Sequence, residues 1–155
     1  ALLTRTAPRD LYDMHNMVRF GLFDESEEAM LRKCTVFYSA IGAAQPPEKF
    51  ELDNIGKVSS LQIKRDLDPV LRKGERFNLE FAQREVREYL ASILVQTKEE
   101  ELFWKAFSEG SYYPDWVFGD SNELRNVAKH PMALWKCRDK KEDKKPLNKA
   151  HEKRA

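Results

Sequence analysis

Residues 78–96, NLEFAQREVREYLASILVQ, repeat their apolar side chains at helical spacing: Leu79, Ala82, Val86, Tyr89, Leu90 and Ile93. Arg and Glu residues occupy the opposite side, so the segment buries one stripe and must lay it against another element. Nothing in the chain offers a sheet as that partner, since no run alternates apolar and polar residues for long enough. The spacing predicts an all-α fold with a helix over 79–96, capped by Asn78.

Start and stop signals divide the rest in the same way. Pro8 suits the first position of a helix, where its missing N–H costs nothing. Leu11, Met14 and Val18 follow it, and Gly21 fits a left-handed cap. Asp24 with Glu27 has capping-box spacing, and Met30, Cys34, Phe37 and Ile41 continue to Gly42, with Pro46-Pro47 barring extension. Residues 43–58 show no period and read as a long connecting loop. Ser59 or Ser60 caps a short helix through Leu61, Lys64 and Leu67, which Asp68-Pro69 bends or restarts. Lys73-Gly74 reads as a turn. Thr97 with Glu100 opens another amphipathic helix that stops at Gly110. Residues 111–119 read as extended around Pro114, and short helices from about Asn122 to Lys129 and from Pro131 to about Lys136 complete the set.

After Cys137 the composition changes. Residues 138–155 hold eight Lys or Arg, four Asp or Glu and a single branched aliphatic residue, Leu147. Such a segment buries too little to offset its ordering entropy and reads as a mobile basic tail or, at most, a solvated helix. The expected organisation is therefore a helical domain over 1–137 followed by a charged tail over 138–155. A chain of 155 residues buries roughly 70% of its unfolded surface, enough for a core without metal or disulfides. Ala1-Leu2-Leu3 reads as the last turn of a helix begun upstream, because a three-residue helix does not nucleate alone. Residue 1 is thus expected to be a boundary.

The net charge of +1 excludes a strong whole-protein field toward nucleic acid or membrane. Cys34 and Cys137 form no C-x-x-C pair and read as reduced thiols. No apolar run reaches the ~18–20 residues that span a bilayer, and no signal peptide is visible. These features point to a cytoplasmic protein with no membrane partner.

Few residues carry chemistry by spacing alone. If a helix starts at Pro8, Asp10 and Asp13 share a face, and Arg9 reaches Asp13 one turn on. A carboxylate for base or metal work beside an arginine for phosphate would look like this. So would an ordinary helix start, whose acidic residues oppose the positive end of the dipole by ~0.3–1 kcal/mol each. His15, His130 and His151 have no metal-ligand spacing and read as structural or surface groups. Tyr112, Tyr113, Trp116 and Phe118 could stack bases, but such a cluster more often packs a loop onto helices. No Gly-rich phosphate loop and no G-x-S-x-G is present.

TRTAPRDLYDM, residues 4–14, resembles the Leu-x-x-Arg-x-x-x-Arg-Asp-x-x-Asp motif of the AbiEii/AbiGii nucleotidyltransferase toxins, members of type IV toxin–antitoxin and phage-abortive systems. Leu2, Arg5, Arg9, Asp10 and Asp13 match it in register. Downstream, KEEELFWKAFSEGSYYPDWVFGD (98–120) is similar to the family's acidic helix and its Gly-x-Tyr, Pro and Leu-Phe-x-Asp pattern. NVAKHPMALWK (126–136) resembles its closing His-Pro-x-x-x-Trp-Lys.

The resemblance implies the helical C-terminal region of a two-part protein that transfers a nucleotidyl group from an NTP, with Mg²⁺, to an acceptor such as tRNA. It implies candidate catalytic roles for Asp10 and Asp13 and substrate-binding roles for Arg9 and, more weakly, Arg5. It also implies as partners an N-terminal nucleotidyltransferase domain and a cognate antitoxin. The chain departs from the pattern by lacking the family's Gly-Ser followed by Asp-x-Asp and the basic residue before Leu2-Leu3. Without those metal-binding carboxylates the phosphoryl transfer loses its charge stabilisation, so these residues alone are expected to be inactive. The competing expectation, from the residues alone, is a self-contained helical module that binds protein or RNA and performs no chemistry.

Overall fold

The computed structural model describes residues 2–143, and every regular element among them is helical. In chain order these are α1 (Pro8–Arg19), α2 (Glu25–Gly42), α3 (Ser60–Gln62), α4 (Leu79–Ile93), α5 (Lys98–Ser108), α6 (Asp115–Phe118), α7 (Asn122–Val127) and α8 (Pro131–Asp143). Tighter turns occupy Leu52–Lys57 and Asp68–Val70, and a wider π turn occupies Ile63–Leu67.

The cap chemistry appears where the sequence places it. Asp24 accepts from the backbone N–H groups of Ser26 and Glu27 at 2.9 and 3.0 Å, and the Glu27 carboxylate takes the Asp24 N–H in return. Ser59 with Gln62 and Thr97 with Glu100 form reciprocal boxes of the same kind. Gly21, at φ 56°, ends α1 in the left-handed region as expected.

The chain sorts into two compact units, one of Ala1–Arg32 with Lys49–Val95 and the other of Lys33–Glu48 with Gln96 onward. In the first, α1 packs along α4. Leu2, Leu11, Ile55, Val58, Ile63, Leu67, Val86, Leu90 and Leu94 form the core between these helices and the 52–67 segment. Amide side chains hold that segment in place. Asn54 donates to the Leu3 carbonyl at 2.7 Å, and Gln83 donates to the Ile55 and Val58 carbonyls at 3.0 and 2.9 Å.

The second unit gathers Phe37, Phe103 and Phe107 around Tyr112, with Phe118 edge-on to Phe37. The Trp104 indole donates to the Val36 carbonyl at 2.8 Å inside it. Tyr112 therefore packs, as its cluster predicts. Its hydroxyl donates to the Val127 carbonyl, and burial pushes its pKa above the usual tyrosine range.

Four boundaries differ from the sequence reading. Residues 43–58 are not wholly loop: Leu52–Lys57 coils tightly because Ile55 is driven into the core, where it is fully buried. Residues 115–118 are helical rather than extended, since Pro114 starts a turn whose Val117 and Phe118 are buried. α4 stops at Ile93 rather than 96 because the chain must extend before the Thr97 cap. α8 continues past Lys136 to Asp143, where Arg138, Lys140, Lys141 and Glu142 are good helix formers and no Gly or Pro intervenes. It thus carries the first part of the expected tail, and residues 144–155 lie outside the described residues. Within α8, Lys140 donates to the Phe107 carbonyl at 3.3 Å with its ammonium over the Phe107 ring.

Candidate functional site

The motif residues sit on α1. Ala7 precedes it in an extended conformation without a side-chain cap, and Pro8 fills the first position. Pro8, Leu11 and His15 are the buried residues of this helix, spaced three and four apart. That stripe fixes the orientation of the rest. Arg9 and Asp13, four residues apart, share an exposed side, and Asp10 lies half-buried beside them.

The structure separates the two aspartates. Asp10 is gripped by Arg5, whose Nε and terminal nitrogen donate to the two carboxylate oxygens at 2.7 and 2.8 Å. This fork-to-fork pair holds the Asp10 carboxyl below its ordinary pKa, chiefly through the hydrogen bonds from Arg5 and against a smaller opposing effect of burial. Asp13 is exposed and unpaired among the described residues. Arg9 does not reach Asp13, as the helical spacing allowed. Its Nε donates to the Asp66 carbonyl at 3.5 Å, a long bond.

Arg9 and Asp13 open onto a cleft of about 390 Å³, lined also by Tyr12, Leu67, Val70, Leu71, Arg72 and Glu75. The far wall is shaped by two backbone devices. Pro69 follows a π turn in which the Asp68 N–H reaches back five residues to the Ile63 carbonyl. Then the Glu75 N–H donates to the Arg72 carbonyl at 2.9 Å across a reversal whose third residue, Gly74, sits at φ 90°. The reversal presents Arg72 and Glu75 to the cleft. Tyr12 ties the two walls together, its hydroxyl donating to Glu75 Oε1 at 2.7 Å.

Tyr12, Val70, Arg72 and Glu75 carry no motif, and the sequence reading nominated none of them. The Lys73-Gly74 turn was the available signal, but it says nothing of where the turn lands. Behind the cleft, His15 is buried between the edges of Phe77 and Phe81, with Nε2 3.1 Å from Glu85. It is a core histidine, as expected. His130 likewise packs on Phe37, with ring centroids 5.3 Å apart.

The resemblance implies Mg²⁺, and the donor set can be tested for it. Among the described residues no three His, Cys, Asp or Glu side chains gather into a set fit to hold a metal ion. Near the motif, Asp10 is engaged by Arg5 and Glu75 by Tyr12. The described residues therefore do not by themselves fit a metal centre. Among them, too, no helix is long and apolar enough to cross a membrane. Comparison with known proteins found no family model, no curated protein and no solved structure that matches the chain.

Proposed function

We propose that this chain is the helical part of a nucleotidyltransferase of the AbiEii/AbiGii toxin type, whose whole protein transfers a nucleotidyl group from an NTP to an acceptor such as tRNA. The observation that carries this reading is the division of labour within one motif. Arg9 and Asp13 line a common cleft, while Arg5 and Asp10 neutralise each other at the helix start.

Asp13 is then the carboxylate left available to a reacting group. Its exposed carboxyl group is placed to accept a proton or a hydroxyl hydrogen bond. Arg9 supplies a guanidinium suited to a phosphate. Asp10 acts as a positioning residue: with Arg5 it fixes the chain entering α1. Mg²⁺ and NTP belong to this proposal through the whole protein, in which other residues would hold the metal and stabilise charge on the transferred group. A cognate antitoxin and an adjoining nucleotidyltransferase domain belong to it in the same way.

The test begins with the coding sequence immediately upstream of the Ala1 codon, where the reading expects an in-frame Gly-Ser segment followed by Asp-x-Asp. The product of that frame should incorporate label from an NTP into tRNA in the presence of Mg²⁺. Asp13→Asn should abolish incorporation while leaving Tm within about 1 °C of the parent, as for a surface change. An upstream frame without that segment, or full activity in Asp13→Asn, overturns the reading.

A further inference from the structure

The second unit holds a cavity of about 740 Å³, larger than the α1 cleft. Its walls come from three places. Gly110, at φ 89°, turns the chain off the end of α5, and the Ser111 N–H donates back to the Ala106 carbonyl at 2.8 Å. The segment that follows this turn brings Tyr112 and Asp115 to the cavity. Leu124 of α7 forms a second wall, and Leu134, Cys137 and Arg138 of α8 form the third. Leu134 precedes Cys137 and Arg138 by three and four residues, so the three share one face of their helix.

Most of this lining is apolar. The Tyr112 hydroxyl is already committed to the Val127 carbonyl, and Cys137 is buried as a small, soft side chain. Leu134, by contrast, is 46% exposed, apolar area that a ligand would take from water. Two charges stand on the same lining. Elsewhere in the chain Arg5, Arg65 and Arg87 each hold an aspartate. Asp115 and Arg138 are both exposed, and neither enters an ion pair among the described residues, with the other or with a third group.

We propose that this cavity binds a short apolar peptide with both ends free, its carboxylate on the Arg138 guanidinium, its ammonium on the Asp115 carboxylate and its side chains over Tyr112, Leu124 and Leu134. Charge selects this class. A neutral apolar molecule would take water from both charges and return a partner to neither. A fatty acid would answer Arg138 and leave Asp115 unpaired. A nucleoside triphosphate would bring several negative charges to one guanidinium and a carboxylate. A ligand with one charge of each sign on an apolar body answers both groups with charge-assisted hydrogen bonds. Size then selects within the class. The volume lies within the ~300–1,000 Å³ of drug-sized ligands, the bulk of roughly three residues rather than of one amino acid. The cavity shares no residue with the α1 cleft, so this site stands or falls independently of nucleotidyl transfer.

The experiment is isothermal titration calorimetry of the 155-residue chain with the tripeptide Leu-Ala-Leu, its N-acetyl form and its C-terminal amide. The free tripeptide should bind, and either block should weaken it about tenfold, the loss of one charge-assisted contact. Asp115→Asn should weaken the free tripeptide about tenfold and leave the acetylated form at the affinity it has for the parent. Arg138→Gln should do the same with the amide. Leu134→Ser should weaken all three peptides alike, by about tenfold.

No binding of Leu-Ala-Leu at millimolar concentration overturns the inference. So do blocked peptides that bind as tightly as the free one, or a preference for free ends that survives both Asp115→Asn and Arg138→Gln. Decanoate that displaces the tripeptide and gains affinity in Asp115→Asn would overturn it in favour of an apolar acid. Asp115 and Arg138 are exposed, so their variants should fold, and the blocked peptides test the parent without any substitution.

Discussion

The Tyr12 hydroxyl donates to Glu75 Oε1 at 2.7 Å across 63 residues of sequence, joining the helix that carries the motif to the reversal that faces it. The same ring meets Phe77 edge-on, with centroids 5.7 Å apart. Tyr12 is therefore anchored at both its tip and its body. Most charged residues of the cleft are exposed, so contacts of this kind help hold the shape that buried Leu67 begins.

Tyr12→Phe keeps the ring and removes the hydrogen bond. It should cost about 0.5–1.5 kcal/mol, the net worth of one such bond. Hydrogen exchange at residues 70–75 should quicken more than at α4. Equal change in both segments would show that the bond does not hold the reversal.

Asp10 gives the protein an acid-sensitive contact. Its folded pKa lies below the ordinary 3.8, so the pair with Arg5 stabilises the fold above that value. The contribution fades as pH falls from about 4 through the folded pKa. Asp10→Asn should lose stability at pH 7 and show a shallower decline below pH 4 in urea denaturation. A parallel decline in parent and variant would count against the pair.

Tyr89 works at the opposite end of the scale. Burial first, and then its hydrogen bond to Glu28 and the charge of that group, push its pKa up to about 12. A raised folded value means the stabilisation is complete below the unfolded value near 10 and is lost as pH rises toward 12. Tyr89→Phe should remove that part of the alkaline loss, as measured by circular dichroism at fixed urea between pH 9 and 12.

Leu11 and Asp13 lie on one helix and should behave as opposites. Leu11 is fully buried in the first core, and Leu11→Ala should cost about 2–5 kcal/mol through lost contacts and an unfilled cavity. Asp13→Ala should stay within about 0.5 kcal/mol of the parent. A large loss from Asp13→Ala would assign that residue a structural role and empty the cleft of its free carboxylate.

The helices were legible because their signals are local. Asn78, Thr97, Ser59 and Asp24 cap by bonding to backbone groups two to three residues away, and each does so in the structure. The stripe of α4 needed only its own spacing. Ile55 was not legible, because a lone apolar residue in an aperiodic stretch gains its burial from elements distant in sequence. Val117 and Phe118 hid for the same reason, behind a proline that reads as an extended signal.

The motif divides along the same line. Arg5, Arg9, Asp10 and Asp13 were nominated from sequence, since their register on a helix from Pro8 follows from helical geometry alone. Which carboxylate would be engaged was not contained in that register. Arg5 stands outside the helix, and only the path of the chain before Pro8 brings its guanidinium onto Asp10 rather than leaving Arg9 to pair with Asp13. Tyr12, Arg72 and Glu75 share no motif because they are joined through space. By itself the sequence determined where the longer helices begin and which faces they bury, since capping and periodicity act within a turn or two. The tertiary structure alone decided that a π turn, a proline and a glycine at φ 90° carry Arg72 and Glu75 opposite α1. A cleft is made by packing between distant segments, and no local spacing encodes it.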